Sequence, residues 1–172
     1  MVGKTSLIRK FVMDRFSDDY ISTLGTKVTK KPFAIQREDG MYDLTMMIWD
    51  VEGRHDNLEM NIESFDTSIP AGYLKGSEGV FLVFDLTRKK TLANIESWYK
   101  GVVAQVGKEI PCILLGNKSD LKSKIEAQTS DVDVYNKKFR FDVFYTSAKT
   151  GENVEEAFQA LANRILDNIS DK

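Results

Sequence analysis

Residues 112–121, CILLGNKSDL, set a short apolar run directly against Asn117, Lys118, Ser119 and Asp120. A stretch such as Ile113-Leu114-Leu115 is what a strand covered on both faces looks like. A polar cluster at the carboxyl end of such a strand is where open α/β sheets bind their ligands. The arrangement recurs on either side. Upstream, Ile48-Trp49 leads into Asp50, Val51, Glu52 and Gly53; downstream, VFYT at 143–146 leads into Ser147, Ala148 and Lys149. GVFLVFDLT at 79–87 is another near-continuous apolar run. From Gly79 onward such strands alternate with helical patterns. One spans about Leu92 to Val106 and stops at Gly107, and one lies around Asp131–Phe139. A last one follows TGEN, with Val154, Ala157, Phe158, Leu161, Ile165 and Leu166 as its apolar stripe. The alternation predicts an α/β sheet with right-handed crossovers and helices on both faces, in one domain over 1–172.

The first half of the chain is patterned differently. SLIRKFVMDRF at 6–16 puts Leu7, Ile8, Phe11 and Val12 on one helical face. KVTKKPFAIQ (27–36) and MYDLTMMIW (41–49) flank Asp39-Gly40, a strong hairpin signal. Just before the first helix stands Gly3-Lys4-Thr5, the back half of the pattern G-x-x-x-x-G-K-[ST]. There a glycine turn leaves a strand, aims backbone N–H groups at a phosphate chain and enters a helix. The pattern's first glycine would stand ahead of Met1. By itself the tripeptide is a weak signal; its weight comes from sharing a rim with the three polar clusters.

Composition narrows the function. Net charge is −2 with both signs interspersed, so a nucleic-acid footprint, which needs a basic stripe, is not expected. No apolar run approaches membrane-spanning length. Cys112 is the single cysteine, which excludes an intrachain disulfide and a cysteine-based zinc site; inside PCILLG it reads as a small core residue. These features fit a reducing, cytoplasmic setting. The end of the chain, DNISDK, carries no cysteine for prenylation, so membrane attachment would require a further tail with a lipid anchor.

Taken together, VGKTSLIRKF, YISTLGTKV, WDVEG, LLGNKSDL and YTSAKTGENVEEAF resemble the motifs of Ras-superfamily small GTPases, closest to the Rab branch. The resemblance covers essentially the whole chain. It implies a P-loop NTPase fold of Ras-like type: a three-layer sandwich around a mostly parallel sheet, whose first strand is missing ahead of Met1. A chain truncated at its N-terminus within the phosphate loop is therefore expected. The resemblance also implies GTP or GDP as ligand and Mg²⁺ as cofactor. Gly3, Lys4, Thr5 and Ser6 would form the phosphate loop, and Thr5, Thr23 and, through water, Asp50 would hold the ion. The Gly53 N–H would meet the terminal phosphate. Asn117 and Asp120 would read guanine, with Lys118 along the base and the Ala148 N–H on its carbonyl. Ser147 and Lys149 complete that last loop, and Phe16 stands where the family packs an aromatic on the base edge. Effectors, exchange factors and activating proteins would dock through 16–28 and 50–76.

Plainer roles exist for each residue: Asn117 and Asp120 as turn caps, Thr23 as a loop residue, Phe16 as a core anchor. Asp85, Trp49 and Trp98 read as structural, and the methionines of LTMMIW as core filling. The chain also departs from the family. The segment that normally reads D-T-A-G-Q-E is Asp50-Val51-Glu52-Gly53-Arg54-His55, so Arg54 stands in place of the water-positioning glutamine. A guanidinium has no acceptor with which to orient water, so slow hydrolysis is expected. Glu52 sits where it would repel the terminal phosphate or compete for Mg²⁺. Leu58, Met60, Ile62, Phe65 and Ile69 read as one packed helix, doubling as a partner surface that changes with nucleotide state. The alternative function is a non-hydrolysing, GTPase-like interaction module.

Overall fold

A computed structural model describes residues 2–17, 26–51, 72 and 74–170. The first helix, α1 (Lys4–Met13), follows Gly3 directly and buries Leu7 and Phe11 on its inner face. Next comes an antiparallel hairpin, β1 (Thr26–Arg37) and β2 (Gly40–Val51), in register from Thr26↔Val51 to Arg37↔Gly40. Gly40 takes a φ of 147°, which only a glycine adopts easily where the chain re-enters the strand. Pro32 is tolerated inside β1 because, among the described residues, this strand pairs on one side only.

The second half alternates as expected. β3 (Val80–Asp85) leads through a short helix α2 (Lys90–Ala93) into α3 (Ile95–Val106), which ends at Gly107 with φ 78°. β4 (Cys112–Asn117) follows, then α4 (Thr129–Phe139), β5 (Asp142–Thr146) and α5 (Val154–Ser170). β3, β4 and β5 form a parallel sheet in that order. The expected single helix from Leu92 is thus broken at Asn94. The Thr91 hydroxyl donates to the Arg88 carbonyl and accepts the Asp85 N–H, tying the first turn back to the strand end.

Alternate residues of the parallel sheet serve two cores. Phe81, Val83, Ile113 and Leu115 pack with α1, α5 and the inner face of the hairpin, including Phe33, Ile35, Leu44, Met46 and Ile48. Leu82, Phe84, Cys112 and Leu114 pack on the opposite face with Leu92, Ile95, Val132 and Phe141. This two-sided burial is why β4 reads as an unbroken apolar run; all six of its residues are buried. The α/β class stands, with helices on both faces, but the sheet is divided. Among the described residues β2 pairs only with β1 and β3 only with β4, so the hairpin and the parallel sheet are joined by side chains, not by a ladder.

One reading of the hairpin needs correction. Met46 turns inward as expected, but Met47 is 55% exposed and does not fill the core; Trp49, read as structural, is 46% exposed on the same outer face. Strand alternation explains it: residues 44, 46 and 48 share the inner face, and 45, 47 and 49 the outer one. The segment containing Leu58, Met60, Ile62, Phe65 and Ile69 lies outside the described residues.

Candidate functional site

The site begins at the turn before α1. Gly3 has φ 92°, and its carbonyl accepts the Leu7 N–H that opens the helix at 3.0 Å. A Cβ there would run into Asn117 Nδ2, so glycine is required twice over, by conformation and by space. Lys4 sits at the helix start, half-buried. Burial pushes its ammonium below the usual lysine range while the Asp50 carboxylate pulls it back up. Ser6 follows on the same helix, also half-buried.

Thr5 and Asp50 meet across the fold. The Thr5 hydroxyl donates to Asp50 Oδ2 at 2.5 Å, although the two lie 45 positions apart. Asp50 is only 3% exposed, and its Oδ1 is buried with no hydrogen-bond partner among the described residues. A buried, unsatisfied carboxylate oxygen is costly, which makes it informative. A hydroxyl and a carboxylate with a spare lone pair are the hard oxygen donors that Mg²⁺ takes, and that ion needs few protein ligands because it keeps its waters. The residues therefore fit Mg²⁺, and Thr5 and Asp50 are the ones that would hold it. When bound, the ion would neutralise charge on phosphate oxygens.

Asn117 joins three loops. It is 1% exposed; its Nδ2 donates to the Val2 carbonyl at 3.0 Å, and its Oδ1 accepts the Ala148 N–H at 3.2 Å and the Thr146 hydroxyl at 3.4 Å. The side chain thereby links the turn before α1, the end of β4 and the loop after β5. Gly116 lets the strand end this way, since a Cβ there would meet Phe84 and Tyr145. Asn117 was expected to read a base and the Ala148 N–H to meet its carbonyl. In the structure both groups are engaged with each other, and one amide hydrogen of Asn117 is left for a ligand.

Asp120 accepts from the Ser147 hydroxyl at 2.6 Å, and Ser147 Oγ in turn accepts the Thr150 N–H at 3.1 Å. The two expected ligand loops are therefore bolted together, with one oxygen of the Asp120 carboxylate outside that bond. Lys118 adopts a left-handed φ of 74°, unusual for a residue with a side chain. Its Nζ lies 2.6 Å from Asp85 Oδ2. Asp85, read from the sequence as merely structural, is thus part of the site. The signal was its position at the end of β3, on the same rim as the other clusters.

The remaining residues are looser. Lys149 is exposed, and Phe16, beyond the end of α1, is 38% exposed, which rules out its reading as a core anchor. Thr23, Gly53 and Arg54, with Glu52 and His55, lie outside the described residues. The outer face of the hairpin carries a neighbouring apolar pair that sequence reasoning did not single out: Val28 faces Trp49, at 41% and 46% exposure.

Comparison with known proteins identifies the family. A family model described as the Ras family matches residues 1–167. Ras-related protein Rab-13 of Rattus norvegicus is 34% identical over 165 residues, covering 96% of this chain and 75% of that protein. Ras-related protein Rab-8B of Homo sapiens is 31% identical over 171 residues, covering 99% and 76%. Ras-related protein SEC4 of Saccharomyces cerevisiae is 31% identical over 168 residues, covering 98% and 72%. With its glycine turn, its Thr5–Asp50 pair and its Asn117-centred loops on one rim, and with a family match from residue 1 to 167, this chain belongs to the Ras family as a Rab-like small GTPase.

Proposed function

We propose that the chain is a guanine-nucleotide switch, acting as one GTPase domain over 1–172 and working with Mg²⁺. The observation that carries this reading is the Asn117 side chain, which ties the turn at Gly3, the NKSD loop and the SAK loop into one frame. Lys4 and the N–H groups at the start of α1 face the phosphates. The Asp120 carboxylate accepts from two adjacent donors on guanine that adenine lacks, so adenine nucleotides leave it unpaired and are rejected. Phe16 covers the base edge, with Ser147, Ala148 and Lys149 closing the loop around it. Thr5 and Thr23, with Asp50 through a water, hold the ion, and Gly53 meets the terminal phosphate. In the GTP state the segments around Thr23 and Gly53 become ordered, and effectors, exchange factors and activating proteins read 16–28 and 50–76. The exposed Val28–Trp49 pair, at the border of both segments, supports that docking face.

Hydrolysis is slow in this reading because Arg54 cannot orient water through an acceptor. A second reading, a GTPase-like interaction module that binds without hydrolysing, is favoured by the same Arg54 and by Glu52. Fluorescent GDP and GTP binding, with and without Mg²⁺ and with ATP as competitor, tests the common ground; ATP competing as well as GTP would sink it. Single-turnover GTP hydrolysis then separates the two. The switch reading expects measurable turnover that rises roughly tenfold or more in Arg54→Gln. Zero turnover in both proteins leaves the interaction module. Cytoplasmic placement, with membrane association only through a lipid anchor, completes the proposal; among the described residues no helix is long and apolar enough to cross a membrane.

A further inference from the structure

Asp85 closes β3 with no solvent exposure at all. A carboxylate so placed is tolerated only when donors and opposite charge meet it on every side. Its Oδ1 accepts the Thr87 N–H at 2.9 Å and the Thr87 hydroxyl at 2.7 Å. Its Oδ2 accepts Lys118 Nζ at 2.6 Å and Arg88 Nε at 3.0 Å. Burial works against the charge, yet the Lys118 and Thr87 hydrogen bonds prevail and hold the carboxyl below its ordinary range, so it is ionised at neutral pH.

The contact is long-range. Lys118 lies 33 residues on, at the end of the neighbouring strand, with its backbone in the left-handed region. A residue held in that conformation needs its surroundings to keep it there. The adjacent backbone is pinned as well: the Leu86 N–H bonds the Asn117 carbonyl at 3.0 Å, and the Ser119 N–H the Thr146 carbonyl at 3.0 Å. The Asp85 contact sets what these backbone bonds do not, the direction of the lysine side chain. Arg88 shares the same oxygen and helps neutralise the carboxylate.

We infer that Asp85 is a positioning residue of the guanine site: by aiming Lys118 it sets how fast a bound guanine nucleotide leaves. The inference rests on the guanine-binding reading above. Lys118 acts on the face of the base and Asp120 on its edge, so losing the Asp85 carboxylate speeds release without altering which base is preferred.

The test is release of fluorescent GDP into excess unlabelled GDP with Mg²⁺, for the wild-type chain, Asp85→Asn, Lys118→Met and the double variant. Loss of a charge-assisted hydrogen bond predicts release roughly tenfold faster in Asp85→Asn. In the Lys118→Met background the same change adds less than about twofold, the mark of a shared mechanism. The preference for GDP over inosine diphosphate, which lacks the 2-amino group, stays as in wild type. Should Asp85→Asn fold poorly, the near-isosteric Thr87→Val, which removes one hydrogen bond to Oδ1, carries the same test with release roughly threefold faster. Unchanged release in the folded variants overturns the inference. So does an Asp85→Asn effect undiminished by Lys118→Met, or a collapse of the GDP preference, since either means the loop as a whole has loosened. A wild-type chain that binds no GDP overturns the proposed function and this inference together, whereas the other outcomes overturn the inference alone.

Discussion

Individual residues here answer to their neighbours more than to their type. Glu96 sits on α3 between Lys100 and Lys138, each at 2.8 Å, and those two hydrogen bonds push its carboxyl down from 4.5 to about 2. Because its value is depressed in the folded chain, its contribution is complete above 4.5 and is lost as pH falls toward about 2. The difference in urea midpoint between the wild type and Glu96→Gln is therefore expected to be constant above pH 4.5, to shrink between there and about 2, and to shrink also in high salt. A difference that grows on acidification would contradict the assignment. Cys112 is the opposite case. It is 5% exposed, and burial pushes its thiol far above the usual range, so it is an inert core group as its apolar surroundings suggested. Asp85 was harder to read. Its sequence neighbours FDLT suggest only a strand end, because the partner that gives it a role lies 33 residues downstream.

Elements were legible wherever their periodicity was strong. The α5 stripe emerged as expected: Val154, Ala157, Phe158 and Leu161 are all buried. Phe158 shows what such a stripe does. It stacks on Phe11 of α1 with ring centroids 3.8 Å apart and meets Phe81 of β3 at 4.7 Å, so one side chain joins two helices and the sheet. Phe158→Ala is expected to destabilise the chain by about 3–5 kcal/mol, read as a lower urea midpoint with an unchanged slope. A loss below about 1 kcal/mol would place the ring outside the core. The hairpin was equally readable in outline, because Asp39-Gly40 supplies a turn and the strands alternate. What was not readable was which methionine turns inward. Met46 and Met47 are chemically identical, and one step of register sends them to opposite faces. The break at Asn94 has no such local signature, although the Thr91 hydroxyl of the preceding turn reaches the end of β3.

Across the whole molecule the two cores pack on opposite faces of the parallel sheet, and the site lies along the carboxyl ends of its strands. Anything that binds this rim ties the turn before α1 to the ends of β2, β4 and β5, so ligand and fold stability are linked. On the proposed function, GDP at about 100 times its dissociation constant adds about 2.7 kcal/mol. For a chain of this size that is a melting rise of roughly 5–11 °C. Mg²⁺ is expected to add a further increment in the wild type and little in Asp50→Asn, because a neutral amide replaces the anionic carboxylate whose Oδ1, partnerless among the described residues, invites the ion. Thermal melting with GDP alone, and with GDP and Mg²⁺, checks this. An Asp50→Asn protein that keeps the full Mg²⁺ increment would remove Asp50 from the ion site.

The amino-acid sequence alone determined the α/β class, the order of strands and helices from Gly79 onward, and the placing of polar clusters at the ends of β2, β4 and β5. Those follow from local periodicity and from short motifs whose chemistry is carried by neighbours in the chain. Tertiary structure decided the rest. It engaged the Asn117 amide with Val2 and Ala148, brought Thr5 against Asp50, left Trp49 exposed, and clamped Lys118 onto Asp85. Each of these depends on groups tens of residues apart arriving within hydrogen-bond distance, or on which face of a strand meets the core. Only the packed fold sets that distance and that facing.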